Sequence, residues 1–163
     1  MQFQVGDHVV YPSQGAGVVQ EIATREILGE RHEYLKIVFV RGNMEILVPL
    51  SKGREVGLRH TVGPDELSQL ETALADGDIS LPQQWPPRYR AEQEILAAGN
   101  AYQLARLVGV LARRDIEKGL AATEREVMES AKMLLASEFA VVGETDLAAA
   151  EARLASLLRE RIG

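Results

Sequence analysis

The sequence contains no cysteine among its 163 residues, which excludes disulfide bonds and thiolate chemistry. It begins with MQFQVGD, which has neither the basic nor the apolar region of a secretory signal peptide. No apolar run approaches the ~20 residues that a membrane-spanning helix requires. We therefore expect a cytoplasmic chain that makes no contact with a membrane.

Motifs for catalysis, metal binding and phosphate binding are also missing. The histidines, His8, His32 and His60, have no carboxylate or second histidine at ligand spacing. There is no H-E-x-x-H motif, Walker loop or nucleophile elbow, and no helix follows the GAG of residues 15–17 to bind phosphate. We expect no metal, no cofactor and no enzymatic activity, although an enzyme without a known motif stays open as an alternative. A binding or scaffolding role is favoured.

Positive charge is scarce, because 18 Lys and Arg residues face 24 Asp and Glu residues, for a net charge of −6. This balance argues against nucleic-acid binding through the overall field of the protein. The distribution is uneven, however. Residues 61–85 carry five acidic side chains and no basic one, whereas residues 86–118 carry six basic and four acidic ones. The only net-positive segment thus begins just after the single tryptophan, Trp85.

The first 60 residues have the short β-branched and aromatic runs that are typical of strands. We predict strands over residues 7–12, 15–28, 34–40 and 44–50. GERHE at 29–33 has the composition of a hairpin loop, and RGN at 41–43 that of a turn. Alternation places Val48 and Leu47 on opposite faces. Four or five strands in ~50 residues predict a small, strongly bent barrel of the SH3 or Tudor type.

After residue 60 the apolar period becomes helical. We predict helices over residues 64–75, 88–98, 100–119, 123–143 and about 146–161. Asn100 is expected to cap the third helix, and Thr123 with Glu126 has the spacing of a capping box for the fourth. The sequence therefore predicts an α+β protein of two domains, a β domain over residues 1–60 and a compact all-α bundle over residues 61–163.

The stretch SLPQQWPPRYR, residues 80–90, places Trp85 among prolines and close to Arg88 and Arg90. Proline fixes its own φ and keeps the preceding residue out of the helical region, which gives Trp85 a stiff mount. Proteins insert rigidly mounted apolar side chains as wedges at base steps of the minor groove, and nearby arginines can reach the flanking phosphates. Alternatively, Trp85 plugs the interface between the two domains. The residues alone leave both possibilities open.

Several motifs occur in an order that carries more information than any of them alone. They are FQVGDHVVYPSQGAGVV at 3–19, ILGERHEYLKIVF at 27–39, ILVPL at 46–50, VGLR at 56–59, LPQQWPPRYR at 81–90 and LARRDIEKGL at 111–120. In this order the chain resembles the CarD/CdnL family of bacterial transcription regulators. Its N-terminal part is also similar to the RNA polymerase-interacting domain of the transcription-repair coupling factor. The resemblance covers nearly the whole chain.

The resemblance implies that the N-terminal domain, Tudor-like in fold, binds the β-subunit lobe of RNA polymerase through a sheet edge. Polymerase contacts fall at Arg25 and at Leu47, a position that holds arginine in the family. The helical domain would wedge Trp85 into the minor groove at the upstream edge of the transcription bubble, near the minus-ten element. Arg88 and Arg90 would contact the DNA backbone, and the open promoter complex would be stabilised.

The partners that the resemblance implies are RNA polymerase and promoter DNA. We expect a monomer that associates with the nucleoid through polymerase. The remaining alternative is a polymerase-binding adaptor in which Trp85 is only a structural plug between the domains, without DNA contact.

Overall fold

The computed structural model describes residues 2–53 and 55–162. Its N-terminal part is an antiparallel sheet of five strands, β1 (His8–Tyr11), β2 (Gly15–Ile27), β3 (Glu30–Phe39), β4 (Glu45–Pro49) and β5 (Arg59–His60). The strand order β4-β3-β2-β1-β5 leaves β4 and β5 at the two edges. The four predicted strands correspond to β1–β4, whereas the two residues of β5 are too few to produce a sequence pattern.

The loop predicted over residues 29–33 is wrong, because β3 already begins at Glu30. Leu28 and Gly29 alone connect β2 to β3, with positive φ angles of 53° and 80°, as in a two-residue hairpin turn. Residues 30–33 pair with residues 24–27, beyond the end of β4, and are exposed. Their polar composition therefore reflects a two-stranded ribbon that projects into solvent, not a loop.

One face of the sheet encloses a small apolar core. Alternate residues of β3, Leu35, Ile37 and Phe39, are completely buried there, and Val48 of β4 is almost so. The same alternation turns Leu47 to the opposite face, where it is 43% exposed. The prediction that Val48 and Leu47 face opposite sides is confirmed.

In the described part of the chain, five α-helices follow the sheet, α1 (Leu67–Asp76), α2 (Pro87–Ala98), α3 (Ala101–Lys118), α4 (Ala122–Val142) and α5 (Leu147–Arg161). Apolar faces of α1, α3, α4 and α5 form one continuous core. Asn100 caps α3 as predicted, because its side chain accepts a hydrogen bond from the backbone nitrogen of Gln103 at 3.1 Å. None of the described helices is long and apolar enough to span a membrane. The α+β class with a β part followed by a helical part is confirmed.

The capping box predicted for α4 is wrong. The helix begins at Ala122, so Thr123 already lies inside the first turn and makes no cap with Glu126. A tertiary contact holds the start of the helix instead, because Glu124 receives two hydrogen bonds from Arg88 of α2. The helix start therefore depends on a partner that local sequence cannot reveal.

The two parts of the chain pack together through the last turns of α4. Ser137 Oγ accepts a hydrogen bond from the backbone nitrogen of Ala16 at 2.9 Å. Glu138, which is buried, receives two hydrogen bonds from Arg59 of β5, at 2.9 and 2.7 Å. Arg59 also donates to the carbonyl of Gly99, just after α2. The C-terminal ends of α2 and α4 thus meet the sheet.

The GAG motif of residues 15–17 serves this close packing. Gly15 has a φ of 99°, and a Cβ atom there would lie 2.6 Å from Ser137 Oγ. At Gly17 a Cβ atom would lie 2.5 Å from the carbonyl oxygen of Val38 in the neighbouring strand. Both positions require glycine on steric grounds, because β2 passes too close to its neighbours for a side chain.

Candidate functional site

Trp85 lies at the end of the irregular segment between α1 and α2, and it is 44% exposed. Residues 77–86 belong to no helix or strand, and Pro87 is the first residue of α2, a position that suits proline. Two side chains of the first turn of α2 contact the indole. The Tyr89 ring centroid is 5.0 Å away, and the guanidinium carbon of Arg88 lies 5.3 Å from the indole centroid. The indole is supported by α2 while much of it remains in contact with solvent.

The contacts of Trp85 hold the indole in place without burying it. Tyr89 is half-buried and packs against the helical core, so it connects the indole to that core. An aromatic pair of this kind contributes ~0.5–1.5 kcal/mol beyond the area it buries. A guanidinium over an indole contributes ~0.5–1 kcal/mol at an exposed site. These energies orient the ring but leave its exposed part available to a partner.

Arg88, predicted to contact DNA, has protein partners around its guanidinium. Its Nε and Nη2 atoms donate to the two carboxylate oxygens of Glu124 at 2.9 and 3.1 Å, and Nη1 donates to the carbonyl of Gln83 at 2.9 Å. The side chain is only 12% exposed. A contact between Arg88 and a DNA phosphate stays a prediction. The structure places Arg88 as the link between the segment that carries Trp85 and α4.

A second carboxyl group, Glu92, is completely buried beside this ion pair, with Oε2 3.8 Å from Arg88 Nε. Among the residues that the structure describes, neither oxygen of Glu92 has a hydrogen-bond partner. Burial, followed by the neighbouring Glu124 carboxylate, raises the pKa of Glu92 to about 8. At neutral pH Glu92 is therefore mainly uncharged.

The pKa of Glu124 shifts in the opposite direction to that of Glu92. Burial acts to raise the pKa of Glu124, but its contacts with Glu92, Arg88 and Arg114 outweigh burial and hold that pKa below its ordinary value. Arg114 of α3 approaches Glu124 Oε1 to 3.9 Å. The cluster thus consists of one ionised carboxylate between two arginines, with an uncharged carboxyl group next to it.

Arg90 is exposed on α2 and has no ion-pair partner in the part of the chain that the structure describes. Residues two apart on a helix lie about 200° apart around its axis, so Arg88 and Arg90 point to nearly opposite sides. This geometry explains why one arginine is buried against α4 while the other faces solvent. The sequence places the two arginines close together, but the structure separates them.

Arg25 and Leu47, the predicted polymerase contacts, share one surface of the sheet. Together with Ala23, Lys36 and two carboxylates, Glu21 and Glu45, they line a shallow groove of about 330 Å³. Lys36 of β3 pairs directly with Leu47 of β4, and Arg25 lies further along β2. Arg25 is exposed. We call this surface, with residues 21, 23, 25, 36, 45 and 47, the outer groove; it adjoins the edge strand β4.

Sequence reasoning missed the buried cluster around Trp85. The four-residue spacing of Arg88 to Glu92 was visible in the sequence and indicates neighbours on a helix. Glu124, by contrast, is 36 residues from Arg88, so that only the packing of α2 on α4 brings the two together.

Two known families match the chain. Residues 3–62 match the family described as "CarD-like/TRCF RID domain", and residues 69–155 match "CarD, C-terminal domain". Over 140 residues the chain is also 30% identical to a Bacillus subtilis (strain 168) protein named "Putative transcription factor YdeB". That similarity covers 86% of this chain and 92% of the other protein. The first family match includes the outer groove, and the second includes Trp85 and its buried cluster.

Proposed function

Because this chain belongs to the CarD family and is a transcription regulator, we propose that it docks on the β-subunit lobe of bacterial RNA polymerase. We further propose that it wedges Trp85 into the minor groove at the upstream edge of the transcription bubble, near the minus-ten element. The wedge stabilises the open promoter complex. The observation that carries this proposal is the indole of Trp85, which is held by α2 and yet 44% exposed.

The free energy that burial of the exposed part of Trp85 would provide is similar to the cost of inserting it between two base pairs. Complete burial of a tryptophan removes ~150–250 Å² from water, so the exposed 44% corresponds to ~70–110 Å². At ~25 cal/mol per Å², its burial would contribute ~2–3 kcal/mol. Unstacking a base step costs a few kcal/mol, which is about the same. The wedge therefore gains little on closed duplex and most where polymerase has already begun to open the DNA.

Arg90 is the arginine best placed for a DNA phosphate, because its side chain is exposed at the start of α2. Arg90 belongs to the net-positive segment 86–118 and has no ion-pair partner among the described residues, so its charge is available to a phosphate that approaches the start of α2. For Arg88 a phosphate contact would require a shift away from Glu124, at the expense of a largely buried ion pair. We therefore propose Arg90 as the main backbone contact.

The match to the TRCF RID domain, the polymerase-interacting module, supports docking through the sheet. The outer groove combines the cation of Arg25 with the apolar side chain of Leu47 beside the open edge of β4. Met44 and Leu50, at the two ends of β4, are also 39% and 40% exposed. An edge strand with apolar neighbours can add a strand of a partner through main-chain hydrogen bonds.

The alternative adaptor, in which Trp85 plugs the interface between the two parts, has less support from the geometry. That interface involves Arg59 and Gly99 at the C-terminal end of α2, whereas Trp85 lies at its N-terminal end. A helix of 12 residues is ~18 Å long, which separates the indole from this contact. The aromatic and cationic neighbours of the Trp85 indole, Tyr89 and Arg88, both belong to α2.

Replacing Trp85 with alanine tests the wedge. Since 44% of the residue is exposed, Trp85→Ala should cost ~1–2.5 kcal/mol of folding stability, the combined energy of its two ring contacts, which is below the ~3–5 kcal/mol of a buried tryptophan. Polymerase binding should be unchanged. The lifetime of open promoter complexes, measured by competitor challenge, should fall by ~10-fold or more if ~2 kcal/mol of wedge energy is lost. Trp85→Phe should give an intermediate lifetime.

A matched control is Ile116→Ala, which removes another exposed apolar side chain from the helical part. It should leave the open-complex lifetime at the wild-type value. A large loss of thermal stability in Trp85→Ala with an unchanged open-complex lifetime would instead establish the plug and reject the wedge.

A further inference from the structure

Arg88 contacts three groups around Trp85: the indole itself, the backbone just before it, and a carboxylate of α4. Its guanidinium lies over the indole, donates to the Gln83 carbonyl two residues before Trp85, and forms a two-pronged ion pair with Glu124. The guanidinium is planar, so a change in one of these contacts reorients it relative to the other two. The position of the indole therefore depends on what fixes Arg88.

Glu124 is the group that fixes Arg88. Both of its oxygens accept from Arg88, and its side chain is 4% exposed, so water offers little competition for the pair. Two parallel hydrogen bonds define direction as well as distance, which a single contact does not. Glu92 stands at 3.8 Å and makes no hydrogen bond to Arg88, which leaves Glu124 as the carboxylate that orients it.

We propose that Glu124 is a positioning residue for Trp85, which through Arg88 sets the orientation of the indole before DNA is bound. Pre-organisation reduces the entropy lost when a side chain is immobilised on a partner, so the free protein already presents the wedge in its binding geometry. The effect of this orientation on DNA binding rests on the proposed function. The orientation of the indole in the free protein does not.

Trp85 is the only tryptophan, so its fluorescence reports on this site alone. In Glu124→Gln, the carboxylate is replaced by an amide of the same size that cannot accept both hydrogen bonds. We expect a larger fast component in the time-resolved anisotropy of Trp85, on the nanosecond scale of exposed side chains. The acrylamide quenching constant should rise by up to ~2-fold, because 44% of the residue is exposed at present.

Glu138→Gln is the matched control. Glu138 lies on the same helix and forms the same kind of two-pronged, buried pair, with Arg59, but it lies 14 residues further on, which is ~21 Å along α4. Both variants should lower the melting temperature, whereas only Glu124→Gln should change the anisotropy of Trp85. Equal changes in both variants, or none in Glu124→Gln, would overturn the positioning role.

Should Glu124→Gln fail to fold, Arg88→Lys provides the same test, since lysine keeps the charge but cannot form the two-pronged pair or cover the indole. It should show the same faster motion and stronger quenching of Trp85, and wild-type anisotropy in this variant would reject the proposal.

The open complex provides the second measurement. Loss of pre-organisation should shorten its lifetime by ~2–10-fold in Glu124→Gln. In a Trp85→Ala background, Glu124→Gln should shorten the lifetime no further, because the two residues act through one group. Independent effects in this double-mutant cycle would contradict the inference. If Trp85→Ala alone leaves the lifetime unchanged, the proposed function fails, while the anisotropy result still decides whether Glu124 positions the indole.

Discussion

At the scale of single residues, Glu92 is the most unusual side chain of the molecule. It is completely buried among Arg88 of its own helix, Glu124 of α4 and Arg114 of α3. Its uncharged form avoids placing two carboxylates in one site, where they would repel each other. The uncharged carboxyl group of Glu92 thus allows Glu124 alone to pair with the arginines. The protonation of Glu92 is therefore linked to the folding stability of the protein.

The raised pKa of Glu92 makes folding stability depend on pH. Glu92 has a pKa of 4.5 in an unfolded chain and of about 8 in the folded protein. Between these values the folded state holds a proton that the unfolded state has released, so stability falls as pH rises from about 4.5 to about 8 and then becomes level. Glu92→Gln mimics the uncharged form and should remove this fall. Relative to wild type, the stability advantage of Glu92→Gln should grow by up to ~1.4 kcal/mol for each pH unit between about pH 5 and about pH 8 and then stay constant, measured by urea unfolding.

Glu94→Gln, an exposed neighbour on the same helix, is the control and should follow the wild-type curve. If the stability of Glu92→Gln runs parallel to that of wild type over the whole range, Glu92 is charged in the folded protein, and the description of the cluster is incorrect.

At the scale of elements, the hairpin of β2 and β3 decides what the sheet can offer a partner. Beyond β4 the two strands continue as a ribbon, and alternate residues of each strand face opposite sides. Arg25 pairs with His32, and Glu26 pairs with Arg31. The ribbon therefore presents Arg25 on one face and Arg31 on the other, so that each face can be tested by itself.

Reversing the charge of Arg25 is the corresponding prediction. Arg25→Glu should weaken binding of the polymerase β lobe by ~10-fold or more, as expected when a central arginine is lost from an interface. The melting temperature should hardly change, because substitutions of exposed residues usually alter stability by less than ~0.5 kcal/mol. Arg31→Glu makes the same charge change on the opposite face and should leave binding intact. Pull-down by the isolated lobe compares the two variants. Equal effects of both variants would reject the outer groove as the docking surface.

At the scale of the whole molecule, an acidic protein carries a locally basic segment next to its exposed tryptophan. Free in solution, such a protein gains little from DNA phosphates. Tethering to polymerase can raise the local concentration to the mM range, at which a few contacts suffice. Under the proposed function, the net charge of −6 would favour action where polymerase is already bound and disfavour binding elsewhere on DNA.

The last prediction follows from this balance. The free protein should bind duplex DNA weakly, and the slope of log K against log salt should be about −2 to −3, as for two or three phosphate contacts. Arg90→Gln should reduce the slope by ~1. Arg153→Gln, which removes a cation of α5 that is paired with Glu71, should not. Fluorescence polarisation over a salt series measures these slopes, and tight, steeply salt-dependent binding by the free protein would exclude the tethering account.

Local features of the fold follow from the sequence alone. The alternation of apolar and polar residues predicted the strands and the outward direction of Leu47. The helical spacing of apolar residues predicted the five α-helices, and Asn100 indicated the start of α3. These features depend on the backbone conformation of a few consecutive residues, so neighbouring side chains suffice to indicate them. The same holds for the prolines around Trp85, which exclude helix and strand from its segment. Local patterns gave a wrong prediction at two places, the ribbon of β2 and β3, which has no covering layer, and the start of α4, which a contact with α2 holds.

The assembly of the predicted site depends on contacts between residues that are far apart in the chain. Arg88 and Glu124 are 36 residues apart, and Arg59 and Glu138 are 79 apart. Such pairs form because whole helices pack together, and the energies that select one packing are spread over the entire core, beyond the reach of local patterns. Packing therefore buried Arg88, left Arg90 exposed and set the indole of Trp85 at the surface. The order of residues along the chain thus supplies the side chains of the site, and the packing of the helices brings some of them into contact.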